Sequence, residues 1–442
     1  MGHQSLFRSF PGFAHDLTMF RSQLYFDRIH GFVPILHQRR YYSWAHDAAT
    51  TTEGRRSLQY AMWSLAASVS AQFQHISDSL YHHTRRMLHN VETEATDVEI
   101  VDIEQVQAYI LVAIYEFMRT DYRRGWMSAG RAFRLIQLMR LHEIDVPSRM
   151  PAPVEWIEVE ERRRTFWMAY SLDRFISIQN GWPLTLSEQV VGFTLLWMLI
   201  LTLTWIKQIM IRLPAPDANF QGSQPFMMGF LSEAITANDQ SVMSPFTECI
   251  ILATISGRAL SHRHQSLVEN IYVDASQDFW DRHRWIDAIL TQRIQILSLK
   301  YSPASQHADP LLLFTSMIAQ ATVLYLHKTL QCVTLSAANQ AEMMQYETCS
   351  LVAAQAIVGL SDFLTQQNCL KARCSDLQSQ PFGSQPPTGP SIYPDSVVPL
   401  CGVLICASRL RQFLRAATSA HSRGPAQYKT IQQACTDFPL SV

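Results

Sequence analysis

The stretch Glu158–Pro183 (E-V-E-E-R-R-R-T-F-W-M-A-Y-S-L-D-R-F-I-S-I-Q-N-G-W-P) constrains this chain more than any other. It opens as a block of charges and continues as an apolar helix. Glu158, Glu160 and Glu161 come first, and Arg162, Arg163 and Arg164 follow. Glu158–Arg162 and Glu160–Arg164 are i,i+4 pairs in the favourable acid-first order. The acids also fall where the positive end of the helix dipole favours them. Phe166, Trp167, Tyr170, Leu172 and Phe175 then demand burial, and Asp173-Arg174 sets an ion pair among them. Gly181 and Pro183 end the helix. The Arg162–Arg164 run has the chemistry to hold phosphates, but three acids directly before it favour an intramolecular ion-pair network at a buried edge of the core.

The rest of the chain reads as helix. Leu17, Phe20, Leu24, Ile29 and Phe32 recur at helical intervals in 15–36, and Met62, Leu65, Ala66 and Val69 mark a second helix over 55–73. A more polar third helix covers 75–90. Val106, Tyr109, Ile110, Ala113, Ile114 and Phe117 follow the i, i+3, i+4 rule, as do Trp126, Ala129, Phe133, Ile136 and Met139. Four long helices are predicted at 242–273, 277–299, 310–335 and 342–366, the second with an apolar face of Trp280, Trp285, Ile286, Ile289, Ile294 and Leu297. A last helix is predicted at 403–420, where Arg409, Arg411 and Arg415 read as a solvated face. No stretch shows sustained strand alternation with hairpin turns, and there is no repeat of fixed period. The fold class is all-α, a large multi-helix domain.

These residues carry a resemblance. E-E-R-R-R-x-x-W (Glu160, Glu161, Arg162, Arg163, Arg164, Trp167), then L-D-R (Asp173, Arg174), then G-x-P (Gly181, Pro183) resembles the central regulatory region of fungal zinc-cluster transcription factors, the fungal-specific transcription factor domain. Glu104–Met118, Arg124–His142 and the segment Tyr25–His37 are similar to the blocks that precede it in that family. The matched part runs from about Tyr25 to Ser187. The resemblance implies a regulatory scaffold that contacts a protein partner or forms a homodimer. It also implies a nuclear role in transcription and no catalytic residues, and such domains are frequent in regulators of metabolic gene clusters. In full-length members of the family it implies zinc as well, held by a six-cysteine cluster whose C-x2-C pairs place two thiolates in one short turn.

That zinc module is not written in this sequence. The eight cysteines run from Cys249 to Cys435 without a C-x2-C pair, so DNA is expected to be reached only indirectly, through a partner, or through a missing N-terminal module. With 36 basic and 37 acidic residues the net charge is −1, and no basic excess marks the whole chain as a nucleic-acid binder. The late, scattered cysteines suit a reducing compartment rather than a disulfide framework. Met1–Ala14 lacks the apolar core of a signal peptide. The pairs Cys369/Cys374 and Cys401/Cys406 have the ligands for zinc but a spacing that turns them to different helix faces; small buried thiols are the plainer reading.

Enzyme signatures are missing. There is no G-x-G-x-x-G, P-loop, H-E-x-x-H or G-x-S-x-G. An aromatic-rich helical chain invites a terpene-synthase reading, but no D-D-x-x-D is present to hold magnesium and pyrophosphate. Asn238-Asp239, Ser241 and Glu248 have the residue types of a second metal motif at the wrong spacing. His82-His83 with Arg85-Arg86 reads as an exposed polar face. A helical enzyme for an apolar substrate and a membrane-anchored protein are the rival classes.

The membrane rival rests on Val190–Ile206, seventeen residues without a charge, the lower limit for a bilayer span. A buried helix is a second reading. A third is a retained intron: removing Val191–Gln208 joins T-L-S-E-Q-V to the polar linker I-M-I-R-L-P-A-P-D, and Val and Gln codons accommodate splice donor and acceptor. The expected layout is a helical regulatory domain over 1–375, a loop or linker over 376–400 within proline-rich text, and a C-terminal helix and tail over 401–442, with no membrane span.

Overall fold

The computed structural model describes residues 21–45, 51–94, 101–146, 155–191, 206–209, 211–236, 243–272, 277–301, 309–330 and 340–366. Helix α1 covers 21–28 and α2 Gln38–Ala45. They are followed by α3 Glu53–Ser68, α4 Gln74–Glu94, α5 Ile103–Met118 and α6 Tyr122–Leu138. Helix α7 spans Trp156–Asn180, and the short helices α8 Asp217–Gln221 and α9 Leu231–Thr236 come next. Four long helices complete the described chain: α10 Pro245–Tyr272, α11 Gln277–Lys300, α12 Pro310–Leu330 and α13 Gln340–Gln366. The architecture is all-α. The predicted helix at 403–420, the loop over 376–400 and the Cys369/Cys374 and Cys401/Cys406 pairs lie outside the described residues, as does Asn238-Asp239.

Helix starts follow local chemistry. Thr52 accepts a hydrogen bond from the Arg55 N–H at the head of α3, and Asp121 does the same for Arg124 in α6. Helix α5 is buried on nearly every face, as its continuous apolar text requires. It packs against α3 and α6, α3 lies on α4, and the rear group builds on α10, which contacts α7, α11 and α12. One hydrophobic core runs from Tyr25 to Ala353 through both groups. Helix α7 joins them: Trp167 and Tyr170 are fully buried within it. Helix α12 is long and apolar enough to cross a membrane, but Leu311–Phe314, Met317, Ile318 and Leu326 are buried in the protein.

Among the described residues there is one short antiparallel pair, Gln189–Val191 with Ile206–Gln208, in the register Gln189↔Gln208, Val190↔Lys207 and Val191↔Ile206. It pairs the two ends of the apolar segment, whose residues 192–205 lie outside the description. Two expectations, those on Trp126 and Trp285, are corrected. Trp126 follows the apolar period of α6, yet it is 47% exposed. Trp285 is 49% exposed on α11, beneath the Arg258 guanidinium. Periodicity records chemistry; it does not oblige an aromatic ring to turn inward when a neighbouring ring or cation covers part of it.

Candidate functional site: the polar spine of helix α7

The motif residues lie along α7, and most of their charged groups are inside the protein. Glu160 and Arg164 have no exposed surface, and Glu161, Arg163, Asp173 and Arg174 are buried. The central node is Arg164. Its Nε donates to Glu160 Oε1 at 3.3 Å, Nη1 to the Pro34 carbonyl at 2.8 Å and to Asp217 Oδ1 at 3.0 Å, and Nη2 to the Ala215 carbonyl at 2.8 Å. The guanidinium carbon also sits 4.1 Å from the centre of the Phe220 ring. One side chain thus ties α7 to the segment before α2 and to the segment before α8.

Glu160 completes this node by accepting from the Ala215 N–H at 2.8 Å and from Arg163 Nη1. Arg163 makes a two-pronged contact with Asp145, Nη2 to Oδ1 at 2.6 Å and Nε to Oδ2 at 3.3 Å. Asp145 in turn accepts the Arg212 N–H at 2.7 Å, and Trp167 Nε1 donates to the Arg212 carbonyl at 2.7 Å. The 211–217 segment is therefore held by α7 at Arg212, Ala215 and Asp217. Burial by itself would raise the Asp217 carboxyl; His30 and Arg164 outweigh it and hold it below its ordinary value.

A second node is Glu161, which accepts the His37 N–H at 2.8 Å and Arg40 Nη1 at 2.5 Å. Burial pushes its carboxyl up to about 7, against the pull of Arg40 and the His37 N–H. Arg162 stays at the rim, paired with Glu158 at 2.5 Å.

The third node closes the C-terminal end. Gly181 takes the left-handed conformation (φ 67°) that glycine adopts without steric cost, and its N–H caps Ser177. Asp173 then accepts the backbone N–H groups of Thr185 (3.0 Å) and Leu186 (2.8 Å), while Arg174 donates to the carbonyls of Tyr170 (3.0 Å) and Leu186 (2.8 Å). Asp173 and Arg174 approach at 3.7 Å, so their principal partners are backbone groups of the turn rather than each other. Ser177 donates to the Pro183 carbonyl at 3.5 Å.

The acid-first i,i+4 spacing locates the Glu160–Arg164 contact. Asp145, Asp217, Arg40 and the Pro34 and Ala215 carbonyls do not follow from α7. One signal pointed to the carbonyls: Pro34 and L-P-A-P (213–216) are segments that proline keeps out of helices, so their C=O groups need outside donors. Arg85 bonds the buried Glu116 and Ser128 rather than belonging to an open face, and Glu248 is buried against Arg293 at 3.4 Å. Among the described residues Cys249 and Cys349 are free, and no group of three or more His, Cys, Asp or Glu has the arrangement to hold a metal. The described residues do not fit zinc.

Comparison with known proteins bears on this site directly. The family model "Fungal specific transcription factor domain" matches residues 22–196, which include α7 and all its motif residues. The pigment biosynthesis transcriptional activator pigB of Monascus ruber is 54% identical over 358 residues, covering 79% of this chain and 61% of that protein. The citrinin biosynthesis transcriptional activator mrl3 of Monascus ruber is 47% identical, covering 79% and 65%. The azaphilone cluster-specific transcription factor azaR of Aspergillus niger is 42% identical, covering 79% and 72%. The chain spans about three fifths of the length of the first two relatives. No solved structure matches the chain.

Proposed function

Because the chain belongs to the fungal-specific transcription factor domain family, we propose that it is the helical regulatory part of a pathway-specific transcriptional activator, acting in the nucleus on a secondary-metabolite gene cluster. The observation that carries this reading is likeness over 79% of the chain to relatives named for control of pigment, citrinin and azaphilone genes. The site geometry supports a scaffold. The buried charges of α7 are engaged with backbone groups and with one another, which holds three chain segments in one arrangement. On this reading the chain catalyses no reaction, and its working contacts are with protein. DNA is reached through a zinc-cluster module or a partner, since these 442 residues contain no C-x2-C pair.

Deleting the gene and measuring transcripts tests it. A co-ordinate fall in the transcripts of one contiguous biosynthetic cluster is expected, and an unchanged transcript profile overturns the reading. In gel-shift experiments the chain alone should form no discrete, competitor-resistant complex with promoter DNA from that cluster.

A further inference from the structure

Helix α6 turns two different faces to its surroundings. Gly125, Ala129, Ala132, Phe133 and Ile136 are buried, and the Gly125 backbone is so close to Phe117 that an added Cβ would lie 2.9 Å from the ring. On the outer side, Arg123, Trp126, Met127, Gly130, Arg134 and Leu138 fall at i, i+3, i+4, i+7, i+11 and i+15, a single stripe. Trp126, Met127 and Leu138 are each about half exposed (47%, 51% and 49%). A Cβ added at Gly130 would meet nothing within 4 Å, so the middle of the stripe is open, with Trp126 and Met127 one turn before it and Arg134 one turn after. Trp182 extends the apolar side: its ring packs on Trp126 at 5.1 Å, and His264 bonds the preceding Gly181 carbonyl at 3.1 Å.

The charge on this face has one sign. Residues 122–138 contain four arginines and no acid. Arg124 is paired with Asp121 and Arg131 with Glu92. The two on the outer stripe have no carboxylate partner among the described residues: Arg134 bonds only the neutral Gln137 (2.9 Å), and Arg123 is exposed. Apolar side chains left half in water beside uncompensated guanidinium groups mark a contact face rather than a solvated one.

We infer that the outer face of α6, with Trp182, is a docking surface for an acidic amphipathic helix of a protein partner. The stripe covers four turns, about 22 Å, which a partner helix of roughly fifteen residues matches. The open position at Gly130 admits a large apolar side chain against Trp126 and Met127, next to Arg134. Arg123 and Arg134 select Asp and Glu on either side of it. A second copy of this chain is the wrong occupant: a two-fold contact of α6 with itself sets arginines against arginines with no acid on either helix.

The test uses the full chain and a fluorescein-labelled synthetic sixteen-residue helix, Leu and Phe at i, i+3, i+4 and i+7 and Asp or Glu elsewhere. A saturable rise in anisotropy is expected, weakening with added salt. A control peptide with Gln in place of every acid should bind at least about tenfold more weakly. Arg123→Glu/Arg134→Glu and, separately, Gly130→Leu should each reduce affinity at least about tenfold with the melting temperature unchanged. Gly130→Leu fills the open position without changing charge, so it remains informative if charge reversal perturbs folding. Absence of peptide binding overturns the inference, as does equal binding by both variants. So does light scattering that shows a dimer abolished by Gly130→Leu. None of these readouts depends on transcriptional activity.

Discussion

Replacing Arg164 by Ala should unfold much of this protein's margin of stability. The side chain is fully buried and donates to Glu160, Asp217 and the Pro34 and Ala215 carbonyls. Breaking a buried ion pair by removing one member costs about 3–5 kcal/mol. Each buried carbonyl left without its donor adds about 1–3 kcal/mol. Glu160 keeps Arg163 and the Ala215 N–H, which places the pair at the lower end of its range. A loss of about 5 kcal/mol or more follows, against a typical total of about 5–15 kcal/mol. Arg164→Lys should fall between, since an ammonium keeps the charge but not the planar fork that reaches Pro34 and Ala215 together. The control is Arg56→Ala, an exposed i,i+3 pair with Glu53 at 2.7 Å, expected to cost about 0–1 kcal/mol. Urea unfolding followed by far-ultraviolet circular dichroism gives all three midpoints. Indistinguishable midpoints for Arg164→Ala and Arg56→Ala would falsify the argument that α7 is held by its buried charges.

Three further outcomes are expected. His262 and His283 touch at 3.2 Å in the interior, close to Arg282, Arg284, Glu269, Asp287 and His327; burial, aided for His283 by its histidine neighbours, lowers them to about 4 and about 3. The folded state therefore favours neutral rings, so their contribution is complete above the unfolded value near 6.5 and lost as pH falls through the folded values; melting temperature should drop between pH 6.5 and 4, and His283→Phe should flatten that drop. Gly257→Ala should cost about 1–3 kcal/mol in a thermal melt, because its Cβ would meet Arg174 Cγ at 3.0 Å where α10 crosses α7, and a neutral result would show that Arg174 has room to move. Deleting Val191–Gln208 joins residues whose neighbours are already paired across Gln189↔Gln208, so helix content should survive; reverse transcription should give a product about 54 nucleotides (three per codon) shorter than the genomic sequence if the segment is a retained intron, and collapse of the circular dichroism signal would make it part of the core.

How much of this was legible in the sequence depends on whether a contact is local. The all-α fold, the long helices after residue 240 and the end of α7 at Gly181 follow from apolar periods and from a glycine that takes φ 67° without steric cost. Glu160–Arg164 and Glu158–Arg162 follow from spacing, because i and i+4 meet on any helix. A network at a buried edge follows from the apolar residues beside the charges; that Glu160 and Arg164 are wholly buried does not. Their burial is settled by residues 53 and 130 positions away, Asp217 and Pro34, which no helical rule connects to Arg164. The histidines at 262, 283 and 327 stand on three helices, and only packing brings the first two into contact. Trp126 and Trp285 show the same limit from the other side: both satisfy the period of their helix, and both remain half in water. The proline-bracketed segments resolve part of this. Pro34, Pro214 and Pro216 hold their neighbours out of helix and leave carbonyls that must find donors elsewhere. A helix rich in arginine and in aromatic residues is where such donors can be buried. Arg164 bonding Pro34 and Ala215 at 2.8 Å each is that match, so the pairing of a charged apolar helix with distant proline-rich loops is itself readable, although which arginine meets which loop is decided only by the fold.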